Sequence, residues 1–209
     1  MTPTCLDHLV YATPDLARGI DEIEALSGVR ASPGGQHLGW GTHNALAALG
    51  SGAYLEIIAP DPAQPAPAHP RPFQLDSVPS SRLLTWALRC EGIEAVVEKA
   101  AAEGLLLGEI LSGSRARQDG TVLSWRLSSP WTLAEQGLVP FLIDWGSSPH
   151  PSAVAAQGLA LQSLWAEHPH PTQLERWLAA LGVEIPVERA ERAALVAVLN
   201  SPRGRLELR

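Results

Sequence analysis

The sequence predicts an α+β fold built from repeated βαβββ units. Three observations support this class. Short apolar runs of strand length recur along the chain. A stripe of apolar residues at helical spacing follows the first run of each unit. Stretches rich in proline or in small residues separate the units. A chain of 209 residues is long enough to bury a full core in this arrangement.

The first unit covers residues 1–60. Its opening run, residues 5–11, is typical of a buried strand. Thr13 is expected to cap the helix with Pro14 at the first helical position, and Gly28 is expected to end it. The segment 32–41 is rich in glycine and predicts a loop, and strands are expected at 42–49 and 53–59.

The second unit is expected at residues 81–146, after a proline-rich linker at 61–80 that runs extended across the surface. It repeats the pattern with a strand at 82–89 and a helix that ends at Gly104. Further apolar or alternating segments follow at 105–111, 121–127 and 140–145.

A third, divergent unit is expected at residues 158–209, after a linker of small residues at 147–157. Its helix carries Leu174, Leu178 and Leu181 on one face, and a hairpin ends the chain. The two other units suffice for a cup, so the third could cover edge strands or pair with another chain. Unpaired strand edges promote association, which favours a homodimer.

The composition of the chain limits the kinds of partner and compartment that we expect for it. The net charge of -7 and the lack of a sustained basic run argue against nucleic acid. No apolar run reaches the roughly 18 residues that span a bilayer, and the N-terminus lacks the pattern of a signal peptide. The two cysteines, Cys5 and Cys90, are expected to be buried thiols in a reducing, cytoplasmic compartment. The arginine-rich, lysine-poor composition is compatible with a bacterial genome of high GC content.

Two polar residues interrupt apolar strands. His8 lies in the first strand and Glu56 in the strand at 53–59. Side chains alternate along a strand, so His8 and Glu56 can point into one pocket if these strands pair. A buried carboxylate is costly unless it is paired or bound to a cation. The pair could therefore be a metal or catalytic site, or a buried polar contact.

Five segments in order carry a family resemblance: DHLVYATPDL, GGQHLGWGTHNAL, YLEIIAPDP, SRARQDGTVLSW and VPFLIDWG. Together they resemble the glyoxalase-like branch of the vicinal oxygen chelate superfamily, the glyoxalase/bleomycin resistance/dioxygenase fold. The resemblance covers residues 4–150. It implies two βαβββ units that form a half-open barrel, or cup, and a small-molecule substrate held through two oxygens at a divalent metal. Zinc, manganese, nickel or iron would suit histidine and carboxylate ligands.

His8 and Glu56 match the ligand positions of the first unit. In the second unit Thr85 aligns with His8 and Ile143 with Glu56, so both ligands are expected to be missing there. His43 could be a third ligand, and His37 is a further candidate. The remaining candidates, assigned to substrate binding, are Trp40, Asn44, Tyr54, Trp86, Trp125 and Arg115, with Arg117 beside the last of them.

Two functions remain open. One is a metal-dependent lyase, isomerase or dioxygenase acting on a small oxygen-rich or aromatic molecule, with Glu56 as ligand or as proton shuttle. The alternative is a metal-free protein that binds or sequesters such a molecule, which the missing ligands of the second unit favour. A third reading, a vestigial cup filled by its own tryptophans, predicts an interaction protein.

Overall fold

The computed structural model describes residues 4–116 and 122–209, without the side chain of Ala116. The order β-α-β-β-β occurs three times within these residues. The first unit consists of β1 (Cys5–Ala12), α1 (Leu16–Ser27), β2 (Ser32–His37), β3 (Thr42–Gly50) and β4 (Ala53–Pro60). The second consists of β5 (Arg82–Arg89), α2 (Ile93–Ala102), β6 (Ile110–Ala116), β7 (Val122–Ser128) and β8 (Phe141–Asp144). The third consists of β9 (Ala160–His168), α3 (Pro171–Ala180), β10 (Val187–Arg189), β11 (Ala194–Ser201) and β12 (Gly204–Leu208).

The first two units share one eight-stranded sheet in the order β2-β3-β4-β1-β5-β8-β7-β6. β1 lies near its centre, parallel to β4 and antiparallel to β5. The sheet curves into a nearly closed barrel, because β2 and β6 at its two ends approach each other: a Cβ built at Gly34 would lie 2.6 Å from Nη1 of Arg115. The third unit forms its own sheet in the order β10-β9-β11-β12.

The eight-stranded sheet separates two apolar clusters. Its outer face packs Leu9, Leu55 and Trp86 against the helices and the third unit. Its inner face carries a second cluster that includes Val10, Tyr54, Trp125, Phe141 and Trp145. Alternation along each strand sends successive side chains to opposite clusters, which is why a single strand can serve both the core and the cup.

The helix start and the segment 32–41 differ from the prediction. Asp15, not Thr13, caps α1: its backbone is extended and its side chain accepts a hydrogen bond of 2.8 Å from the backbone N of Arg18. Residues 32–37 form β2 instead of a loop, because pairing with β3 compensates for a glycine-rich sequence.

The linker and one cysteine also differ. The stretch 61–80 is not only an extended surface segment, since it contains a short 3-10 helix at Pro72–Ser77 that buries Phe73 and Leu75. Cys5 is exposed, whereas Cys90 is buried as expected, and neither forms a disulfide. No helix in the described ranges is long and apolar enough to cross a bilayer.

Candidate functional site

The inner face of the barrel lines an open pocket, which we call the cup; its empty space is about 470 Å³ with the solvent at its mouth included. Its polar side chains come mainly from the first unit, with one from β6: they are His8, His37, Asn44, Glu56 and Arg115. Its aromatic side chains come from both units and from the 61–80 stretch: they are Trp40, Tyr54, Phe73, Trp125, Phe141 and Trp145. A mostly apolar cup with a few convergent polar groups has the make-up of a small-molecule site.

Strand register brings His8 and Glu56 together. β1 and β4 run parallel, with His8 beside Tyr54 and Val10 beside Glu56. The two side chains meet in the cup, with His8 Nε2 3.6 Å from Glu56 Oε2. This distance is too long for a hydrogen bond. Both side chains are buried.

A β-bulge places Asp7 behind His8. The pairing of β1 with β5 shifts register between Leu6 and His8, so Asp7 is the extra residue. Bulges re-aim side chains, and Asp7 Oδ1 lies 2.6 Å from Nδ1 of its neighbour His8. Its other oxygen, Oδ2, accepts hydrogen bonds of 2.9 Å from Trp145 Nε1 and of 2.9 Å from His150 Nε2.

A second chain of hydrogen bonds crosses the cup from β6 to β4. Arg115 Nη1 donates to Asn44 Oδ1 at 2.7 Å. This orients the amide so that Asn44 Nδ2 donates to Glu56 Oε1 at 2.5 Å, with His37 Nε2 3.3 Å away. Gly34 makes room for the chain, because a Cβ there would lie 2.0 Å from Asn44 Oδ1.

Burial and neighbouring charges set the protonation of the cup. Burial lowers the pKa of His37 from its usual 6.5 to about 4; Glu56 opposes this and Arg115 adds to it. Burial by itself would raise the pKa of Asp7, but the hydrogen bonds from His150 and His8 outweigh it and hold that pKa well below its ordinary value. Asp7 is therefore a carboxylate and His37 is neutral at neutral pH.

Aromatic rings hold the polar groups in place. The His8 ring stacks on Tyr54 with centroids 4.7 Å apart and meets Phe141 edge-on at 5.4 Å. Across the cup the indole of Trp125 lies over Gly113, its partner on β6. Only a residue without a side chain leaves space for that indole.

The comparisons with known proteins agree with this architecture. The model of a family described as glyoxalase-like domain matches residues 6–182. The chain belongs to the glyoxalase-like domain family.

A hypothetical protein from Staphylococcus aureus matches this glyoxalase-like protein at 16% identity over 98% of this chain and 85% of its own, with a TM-score of 0.62. Methylmalonyl-CoA epimerase from Mycobacterium tuberculosis matches at 18% identity over 71% of this chain and 91% of its own, with a TM-score of 0.42. No curated protein matches the sequence. The fold is that of the vicinal oxygen chelate proteins.

The donor set of this glyoxalase-like protein does not fit the metal that the resemblance implies. The described residues contain no group of three or more histidine, cysteine, aspartate or glutamate side chains arranged to hold a metal ion. In the second unit Ala87 pairs with Phe141 as His8 pairs with Tyr54, and Ile143 stands where Glu56 does. The predicted equivalence of Thr85 with His8 is thus corrected to Ala87, because strand register and not the loop alignment decides it.

Two candidate residues lie outside the cup. His43 is adjacent to Asn44 on β3 and points to the opposite face, where its Nδ1 is 3.7 Å from Asp61 Oδ1. It does not join His8 and Glu56 as a third ligand. Trp86 is fully buried in the outer cluster and donates through Nε1 to Leu138 O at 2.8 Å, so it packs the core and not a substrate.

The structure brings the other candidates together in the cup: Trp40, Asn44, Tyr54, Trp125 and Arg115 line it beside His8 and Glu56. Arg117 lies outside the described residues. Sequence reasoning missed Asp7 and His150. An acidic residue inside an apolar strand was the available signal for Asp7, whereas the position of His150 in a linker gave none.

Proposed function

We propose that this glyoxalase-like protein binds a small aromatic or oxygen-rich molecule that carries a hydroxyl group, and that His8 and Glu56 exchange a proton with it without a metal. One observation carries this proposal. His8 Nε2 and Glu56 Oε2 face each other across 3.6 Å inside the cup. Glu56 Oε2 accepts hydrogen bonds, and so does Nε2 of a neutral His8, so a ligand that brings one donor to each of them, as two neighbouring hydroxyl groups do, satisfies both.

The acceptor character of His8 Nε2 follows from its partner on the other side. Asp7 is ionised, so it accepts hydrogen bonds and donates none. The contact of 2.6 Å between Asp7 Oδ1 and His8 Nδ1 therefore places the proton on Nδ1. A neutral imidazole with Nδ1 protonated presents a lone pair at Nε2.

One carboxylate oxygen of Glu56 accepts a hydrogen bond within the protein, and the other faces His8. Oε1 accepts from Asn44 Nδ2, which holds the carboxylate in one orientation. Oε2 faces His8. A hydroxyl or an acidic C–H placed between the two groups can pass its proton to either, which is the arrangement for general acid–base catalysis of isomerase or lyase type.

The walls of the cup favour a flat ligand. Trp125 and Trp145 pack with ring centroids 5.5 Å apart, and Tyr54 and Phe141 flank His8. Aromatic faces bind planar ligands through stacking and burial of apolar area. Arg115 adds positive charge to the same wall, which favours a ligand whose oxygen becomes negative during proton transfer.

Matched ligands test the proposal. Catechol and 1,2-dimethoxybenzene have the same ring and oxygen spacing, but only catechol donates hydrogen bonds. We expect catechol to bind at least about tenfold more tightly, a difference of about 1.4 kcal/mol. Binding is followed by NMR titration of the purified protein, with metal content measured on the same sample by elemental mass spectrometry.

Two variants test whether the preference for catechol arises in the cup. Glu56→Gln keeps the contact with Asn44 but turns an amide donor towards His8, so the preference for catechol is expected to disappear. Glu188→Gln, an exposed residue on β10, is the matched control and should bind as wild type does. Equal affinity for the two ligands, or binding only after Mn, Zn, Ni or Fe(II) is added, would refute the proposal.

A second candidate is a protein that binds without turnover. The observation that favours it is the predominance of aromatic over polar side chains in the lining. Dihydroxyacetone in D₂O separates the two, because proton transfer replaces its C–H protons with deuterium. Exchange above the buffer rate that is lost in Glu56→Gln supports the enzyme, whereas catechol binding with no exchange supports the binding protein.

A further inference from the structure

We infer that Asp7 is a positioning residue, anchored by His150 and Trp145, that fixes His8 in the tautomer with its proton on Nδ1 and its lone pair on Nε2. This inference deepens the proposed function and rests on it for its catalytic meaning. It assigns a role to His150, which lies in the connector at 147–157 and outside both units that build the cup.

The hydrogen bonds around Asp7 have a consistent direction. Its two oxygens receive three N–H donors, from His8, Trp145 and His150, and its side chain is fully buried. Indole nitrogen can only donate. His150 Nδ1 accepts from the backbone N of Ser152, so its Nε2 carries the proton given to Asp7. Each partner therefore restricts Asp7 to the role of an acceptor.

The direction of these hydrogen bonds determines which ring nitrogen of His8 presents a lone pair to the cup. With the carboxylate fixed as acceptor, the proton of neutral His8 stays on Nδ1. The stacked ring of Tyr54 and the edge of Phe141 keep the imidazole from turning over. A carboxylate that accepts a hydrogen bond from one ring nitrogen fixes the tautomer of the histidine and the orientation of its ring. The second ring nitrogen can then accept a proton.

The anchors give the carboxylate one orientation. Trp145 follows directly after β8, and its indole also lines the cup. His150 caps the 3-10 helix at Pro151–Ala153, which fixes its ring on the other side of Asp7. Without either anchor Asp7 could rotate away from His8, because the bulge at this position leaves it outside the regular strand pairing.

Nitrogen-detected NMR of the imidazole rings tests the tautomer directly. In wild type at pH 7.5 we expect His8 to be protonated at Nδ1 and bare at Nε2. In Asp7→Asn the amide NH₂ can donate to His8 Nδ1, so the proton is expected to move to Nε2. Asp21→Asn, which changes an exposed carboxylate, should leave the tautomer unchanged.

Binding of catechol tests the anchor. His150→Ala removes one donor to Asp7 and is expected to weaken binding by about threefold to tenfold, whereas His150→Gln supplies an amide donor and should restore most of it. Both act on a side chain that is partly exposed, so the fold is expected to persist.

The outcomes separate the two proposals. His8 protonated at Nε2 in wild type would overturn the positioning role, and this measurement needs no variant to fold. An unchanged tautomer in Asp7→Asn would overturn it as well, as would equal binding by the alanine and glutamine variants of His150. Failure of catechol to bind wild type would overturn the proposed function alone and leave the tautomer measurement intact.

Discussion

The first and second βαβββ units have the same fold but give the cup different chemistry. In β1 and β4 the register pairs His8 with Tyr54 and sets Glu56 two residues further along. In β5 and β8 the same register pairs Ala87 with Phe141 and sets Ile143 two residues further. The aromatic residue is kept in both, and the two ionisable residues occur in only one.

This difference gives the cup one polar side and one mostly apolar side. The first unit supplies His8, His37, Asn44 and Glu56, and the second supplies mostly rings and aliphatic side chains together with Arg115. A site with ligands from both units can surround a metal ion, whereas a one-sided site suits a planar ligand lying against the apolar wall. Substitutions in each unit test this difference.

The largest effect is expected from Asp7→Ala in the first unit. It leaves three N–H donors, two of them buried, without their carboxylate, which should lower the free energy of unfolding by about 3–5 kcal/mol. Urea denaturation measures the loss. By strand register the corresponding residue of the second unit is Trp86, whose indole makes one hydrogen bond. Trp86→Phe should cost about 1–2 kcal/mol, and an equal loss in both variants would contradict the asymmetry.

The second prediction concerns the first unit at acid pH, where protonation of His37 is expected to lower the stability of the fold. Its pKa falls from 6.5 to about 4 on folding. Between these values the unfolded chain binds a proton that the folded chain does not, so the free energy of unfolding falls as pH is lowered from 6.5 to 4. The full loss is about 3 kcal/mol.

Denaturation at a series of pH values measures this dependence. His37→Gln removes the titrating group, so its stability should fall less steeply between pH 6.5 and 4. His69→Gln, at an exposed histidine, should follow wild type. Parallel curves for wild type and His37→Gln would show that this side chain is not held neutral by the cup.

Trp125→Leu tests the apolar wall of the second unit. Loss of one aromatic face should weaken catechol binding by about threefold to tenfold, or about 0.5–1.5 kcal/mol. NMR titration measures it. Trp131→Leu, at a tryptophan that does not line the cup, should bind as wild type does. A larger loss in the Trp131 variant would place the ligand outside the cup.

The smallest effect is expected from His43→Ala. This side chain lies beside Asp61 on the far face of β3, so stability should change by about 0.5 kcal/mol or less and catechol binding should not change. The same titration and denaturation experiments check both. If binding were lost, the three-ligand site of His8, Glu56 and His43 would have to be reconsidered.

The parts of the site that follow from local pattern were predictable. Alternation along each strand correctly placed His8 and Glu56 on faces that meet, because a strand keeps its period without reference to its neighbours. The order of strands and helices followed from apolar spacing for the same reason. The family resemblance then indicated that the strands close into a cup.

The parts that depend on pairing between distant strands were not predictable. Whether His43 or Asn44 faces the cup is decided by the register of β3 on β4, and one residue of shift exchanges the two. The role of Asp7 requires a bulge that only the pairing with β5 creates. His150 reaches Asp7 from 143 positions along the chain, and no local pattern encodes such a contact.

The central position of β1 has a consequence for synthesis of the chain on the ribosome. β1 emerges before both of its neighbours, because its parallel neighbour β4 ends at Pro60 and its antiparallel neighbour β5 ends at Arg89. The two anchors of Asp7 emerge later still, at Trp145 and His150. Non-local pairing of this kind delays folding. β1 is therefore completed long after it leaves the ribosome, and His8 acquires its final environment only after His150 has been made.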